Sequence, residues 1–84
     1  MKIYVGNLAD ETVEADVMEA FQEFGDVQRV NIARTSLDGL SRGFGFVDVD
    51  ADADGRAMIR GLNGSLLLGK ALKVTQAFVK RHAS

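Results

Sequence analysis

The stretch Arg42-Gly43-Phe44-Gly45-Phe46-Val47-Asp48-Val49 decides the fold. In an extended chain successive side chains point to opposite sides, so period two divides the stretch into two sets. Arg42, Phe44, Phe46 and Asp48 form one; Gly43, Gly45, Val47 and Val49 form the other. The first set cannot lie beneath a packed layer without burying two charges, which places both phenylalanines on an open face. The valine side then needs a covering layer.

The segments around it supply that layer. Ile3 and Val5 share one parity and Lys2, Tyr4 and Gly6 the other, as in a half-buried strand over residues 3 to 8. Val13, Val17, Ala20, Phe21 and Phe24 recur at the spacing of one helix face. Thr12 stands where a cap is wanted, Glu14 and Asp16 lie in the first turn, and Gly25 sits where a left-handed residue ends a helix. Val30 and Ile32 alternate with Arg29, Asn31 and Ala33 in a second strand, followed by a turn around Asp38-Gly39. A second helix over residues 52 to 62 carries Met58, Ile59 and Leu62, at a cost of about 1 kcal/mol for each of Gly55 and Gly61. Asn63-Gly64 closes it, and Leu72 and Val74 alternate with Lys73 and Thr75 in a last strand. The order β-α-β-β-α-β predicts an α+β, ferredoxin-like sandwich: a four-stranded antiparallel sheet with both helices on one face.

At 84 residues the chain holds one domain, expected over residues 1 to 78, with a short tail over 79 to 84. A composition of 46% apolar and 26% charged residues is that of a folded, soluble protein. Zero cysteines exclude disulfides, thiolate metal sites and cysteine nucleophiles. The first residues are too short an apolar run for a signal segment, and no run approaches the roughly 18 residues of a membrane span. A cytoplasmic location, no membrane partner and no small-molecule substrate are expected.

In the expected topology the first and third strands are neighbours, so Tyr4, Phe44 and Phe46 form one outward patch. Exposed apolar patches of this kind mark binding surfaces. Residues 42 to 49 resemble the RNP1 octamer of RNA recognition motif domains, K/R-G-F/Y-G/A-F-V-x-F/Y, at seven of eight positions. Ile3-Tyr4-Val5-Gly6-Asn7-Leu8 resembles the family's RNP2 hexamer. Phe21, Phe24-Gly25, Met58-Ile59, Leu62-Asn63-Gly64, Gly69-Lys70, Leu72 and Val74 extend the likeness over nearly the whole chain. The chain looks most like the small single-domain RNA-binding proteins of bacteria and plastids.

The resemblance implies single-stranded RNA as partner, with single-stranded DNA left open, no cofactor and no enzymatic activity. It implies that Tyr4 and Phe44 each carry a base, that Phe46 sits against the sugars, and that Arg42 contacts phosphate. Lys2, Asn31, Lys73 and Thr75 share the outward parity and either read base edges or hold the backbone. A monomer is expected. The alternative is a protein-interaction module, homodimeric in one version, favoured by Asp48, the acidic first helix, and Leu37 and Leu40. Val49 departs from the family's usual aromatic, but inward; Gly55 stands for a core alanine; Asp48 puts a negative charge on the binding face.

Other signals are weaker. Asp50-Ala51-Asp52-Ala53-Asp54-Gly55 opens like a calcium loop, but Gly61 stands where the bidentate Glu belongs; the three acids are read as capping and charging the second helix. Gly43 and Gly45 lack the third glycine of a dinucleotide loop, since Asp48 occupies its place. His82 is the only histidine, which removes triads and histidine metal clusters. Lys80 and Arg81 either add phosphate attraction or belong to a disordered tail, and Phe78 is left between the sheet edge and the RNA surface.

Ten basic and twelve acidic side chains give a net charge of -2, which argues at first against a polyanion partner. The charge is unevenly spread. Residues 9 to 26 carry seven acids and no base, whereas Lys2, Arg42 and Lys73 belong to the aromatic face. RNA binding is therefore expected to depend on stacking more than on charge. In a binding titration repeated at two salt concentrations, the salt slope should be shallower than that of a strongly basic domain; an equally steep slope would contradict this charge distribution.

Overall fold

The computed structural model describes residues 1 to 35 and 39 to 78. The elements run β1 (Lys2–Gly6), α1 (Glu14–Gln22), β2 (Arg29–Arg34), β3 (Ser41–Asp48), α2 (Asp52–Leu62), β4 (Leu66–Leu67), β5 (Lys70–Ala71) and β6 (Lys73–Ala77). β1, β2, β3 and β6 form one antiparallel sheet in the order β2-β3-β1-β6, and β4 pairs with β5 in a separate hairpin. This is the expected split βαβ arrangement. The β4–β5 hairpin is an addition, because two-residue strands leave no periodicity to read. The expected turn at Asp38 and the tail with Lys80, Arg81 and His82 fall outside the described residues, as does Leu37.

The core lies between the sheet and the helices. Ile3, Val5, Val47 and Val74 come from the strands, Val49 from just past the end of β3, Val17 and Phe21 from α1, and Met58 and Leu62 from α2, all buried. The inward parity of the strands is thus as the alternation predicts. Gly45 sets the spacing of the sheet: a Cβ there would stand 2.7 Å from the Asn31 carbonyl oxygen and 3.0 Å from Ile32 Cα. Two glycines that propensity counts as costs are contact sites. A Cβ on Gly61 would enter the Phe24 ring, and one on Gly55 would collide with the Met1 thioether. The side chain of Met1 occupies the space that an alanine at Gly55 would fill.

The helix starts differ from expectation. Thr12 does not cap α1; Val13 takes that position with φ -116°, ψ 170°, and its N–H donates to Asp16 Oδ2 at 3.0 Å. Thr12 is turned inward, 1% exposed, and its Oγ1 finds no partner among the described residues. Val13, expected on the buried helix face, is 45% exposed for the same reason: it precedes the first helical turn. Gly25 has the expected positive φ, at 158°, a backbone conformation that L side chains rarely adopt. Its missing Cβ also leaves room for Asp54, whose Oδ2 accepts from the Asp26 N–H at 3.2 Å. At α2 the cap is Ala51 with no side-chain bond, so the aspartates do not cap; Asp52 and Asp54 charge the first turn. Asn63 and Gly64 close α2 as expected, with φ 86° at Gly64 and Asn63 Oδ1 accepting from the Val74 N–H at 2.9 Å.

Arg34 Nη2 meets Glu14 Oε1 at 2.8 Å, tying β2 to the start of α1. The backbone N–H of Glu14 itself, and after it Arg34, hold the Glu14 carboxyl below the usual carboxylate range against slight burial.

Gly45→Ala should destabilise the fold by about 1–3 kcal/mol, because two backbone atoms of β2 must move. Urea unfolding measures this, and an unchanged midpoint would refute the close approach of β2 and β3.

Candidate nucleic-acid interface

The helices cover one side of the sheet and leave the other open. Paired residues of neighbouring strands point the same way, so the register lays this face out in rows. Arg29, Asp48, Lys2 and Ala77 make the first; Asn31, Phe46, Tyr4 and Thr75 the second; Phe44, Gly6 and Lys73 the third. Arg42 extends β3 beyond them. All eight residues expected at the site therefore stand on one surface: Lys2, Tyr4, Asn31, Arg42, Phe44, Phe46, Lys73 and Thr75.

The three rings are half-buried against one another. Tyr4 and Phe44 lie 6.0 Å apart between centroids with their planes inclined by 26°. Phe46 stands edge-on to both, at 5.9 Å and 67° from Tyr4 and at 6.1 Å and 88° from Phe44. Two nearly parallel platforms result, with an upright ring beside them.

Glycine makes that geometry accessible. The Tyr4 ring lies along its own strand over Gly6, where a Cβ would come within 2.8 Å of Cζ. Gly43, immediately before Phe44, adopts φ 82°, a left-handed conformation that other residues enter at a cost of about 1–2 kcal/mol. Its carbonyl accepts from the Leu8 N–H at 2.9 Å, fixing the end of β3 against the chain that leaves β1.

Charges frame the rings. Lys2 Nζ is 5.6 Å from the Phe46 centroid and Arg42 Cζ 5.8 Å from the Phe44 centroid, within cation–π range. Asp48 has Lys2 at 3.9 Å on one side and Arg29 as its cross-strand partner on the other. Lys2 therefore sets a cation against this carboxylate, and the register places Arg29 on the neighbouring strand. Arg29 was not singled out from the sequence, although it shares the parity of Asn31; what was missing was the register that sets it beside Asp48. Asn7 is a further addition at the opposite end. It adopts φ 60°, and its Nδ2 donates to the Ala71 carbonyl at 2.7 Å, joining the end of β1 to β5.

The remaining chemistry is limited. No group of three or more His, Cys, Asp or Glu side chains among the described residues is placed to hold a metal ion, and no described helix is long and apolar enough to cross a membrane. Asp50, Asp52 and Asp54 run into α2 rather than around a cation-binding loop.

Sheet order, ring trio and glycine placement define an RNA recognition motif. The model of that family matches residues 3 to 73, and the chain belongs to it. RbpA of Synechocystis sp., a protein named for RNA binding, is 43% identical over 84 residues, covering 100% of this chain and 83% of that one. The chloroplastic 29 kDa ribonucleoprotein A of Nicotiana sylvestris is 39% identical over 74 residues, 88% of this chain and 27% of that longer protein. The crystal structure of RNA Binding Protein PG1 superposes with a TM-score of 0.90 at 34% identity, covering 98% and 99% of the two chains.

Proposed function

We propose that this chain binds single-stranded RNA across the open face of its sheet, one base stacking on Tyr4 and the next on Phe44. The observation that carries this reading is the pair of rings held 6.0 Å apart and within 26° of parallel. Nucleobases offer π-faces to such platforms, and each stack is worth about 1–3 kcal/mol by alanine substitution. Phe46, edge-on to both, fits the sugars between the two bases. Arg42, beyond Phe44 at the end of the face, suits a phosphate. Asn31 and Thr75 flank the aromatic row and suit base edges, while Lys2 and Lys73 neutralise backbone charge.

Rings and cations make this a surface for binding rather than catalysis, and we assign the chain no enzymatic role. Stacking alone accepts single-stranded DNA as well; discrimination would come from the polar flank reaching a 2′-hydroxyl. The domain acts as a monomer in this reading, over residues 1 to 78, and the absence of cysteine fits action in a reducing cytoplasm.

Tyr4→Ala and Phe44→Ala should each weaken binding to a random single-stranded RNA pool by about 5- to 100-fold at constant fold. Asp48→Asn should strengthen it by about two- to fivefold, because Lys2 is released and a repulsive charge removed. Unchanged affinity in both alanine variants would refute the stacking mechanism.

A further inference from the structure

Leu66, Leu67 and Leu68 form an apolar run that the sheet face does not use. Leu67 packs against the core, but Leu66 is 73% and Leu68 50% exposed. The turn from β4 to β5 has φ 51° at Leu68 and 83° at Gly69, the double left-handed geometry in which asparagine and glycine are favoured. A leucine there gives up the easier backbone choice and holds its side chain in water. Such local conflict concentrates where a side chain serves function.

Beside the hairpin runs α1. Leu67, Leu68 and Ala20, together with Asp16, Glu19 and Glu23, line an open groove of about 350 Å³. The carboxylates of Glu19 and Glu23 make no hydrogen bond or ion pair within the described residues, whereas Asp16 spends one oxygen on the Val13 N–H. Offsets of three and seven residues put the three acids on one helix face, spread over roughly 10 Å.

We propose that this groove docks a basic peptide segment of a partner protein, with a bulky apolar side chain seated on Leu67 and Leu68 between cations that meet the two ends of the acidic row. Charge decides the partner's chemistry: residues 9 to 26 hold seven acids and no base, which repels nucleic acid from this side and attracts lysine and arginine. The separation fits cations two turns apart on a helix, or about three residues apart in an extended chain. Since α1 packs on the opposite side of the sheet from the rings, peptide and RNA occupy the domain together.

Selection of a random 12-residue peptide display library on the full chain, run in parallel with and without poly(U), tests this. Recovered peptides should place Lys or Arg on both sides of Leu, Met, Phe or Trp and should persist in the presence of poly(U). They should lose about tenfold in affinity to Leu68→Asn, and again to Glu19→Gln/Glu23→Gln. Leu68→Asn suits the turn geometry and so retains the fold, and poly(U) affinity, measured separately, should stay within about twofold in both variants. Failure of poly(U) to bind the parent chain would count against the RNA reading and leave the peptide result intact. No recovery, recovery equal on the variants, or displacement by poly(U) would overturn the proposal. Concentration-dependent self-association abolished by Leu68→Asn would overturn it in favour of a second copy.

Discussion

The pairing of β1 with β3 is the constraint from which the remaining structure follows. Opposing Ile3 with Val47 and Val5 with Gly45 puts four inward positions beneath the helices, and the same register opposes Tyr4 with Phe46 and Gly6 with Phe44 on the other side. A shift by one residue would send the rings inward and the valines to water. Burial of the core therefore fixes the arrangement of the aromatic face. Gly45 permits the approach of β2, while Gly6 and Gly43 shape the outer surface.

Electrostatics divides the molecule along the same plane. Cations lie over or beside the rings, and the one carboxylate among them, Asp48, sits between Lys2 and Arg29. The acids of α1 stand on the far side. A net charge of -2 thus describes neither surface. For a polyanion partner the local field at the rings matters, together with desolvation of aromatic area; at physiological ionic strength charges a Debye length of about 8 Å away are largely screened.

Much of this was legible in the sequence because it rests on parity. Arg42 and Asp48 forced Phe44 and Phe46 outward, and Ile3 and Val5 did the same for Tyr4. What escaped depends on contacts between distant segments. Thr12 has the better capping side chain, yet Val13 takes the position because Asp16 reaches back to its N–H while Thr12 is drawn into the core. Gly55 and Gly61 read locally as helix weakeners, and only their contacts with Met1 and Phe24 explain them. Arg29 and Asn7 gain meaning from strand register and from the β4–β5 hairpin, whose two-residue strands carry no pattern.

The chain has one tyrosine and no tryptophan, so its intrinsic emission reports on Tyr4 alone. Titration with single-stranded RNA, following that emission alongside the anisotropy of a labelled RNA, tests the central claim most directly. Stacking of a base on Tyr4 predicts saturable quenching with the same midpoint as the anisotropy. Full binding by anisotropy with Tyr4 emission unchanged would contradict it, and would move the RNA off the face that β1 and β3 build.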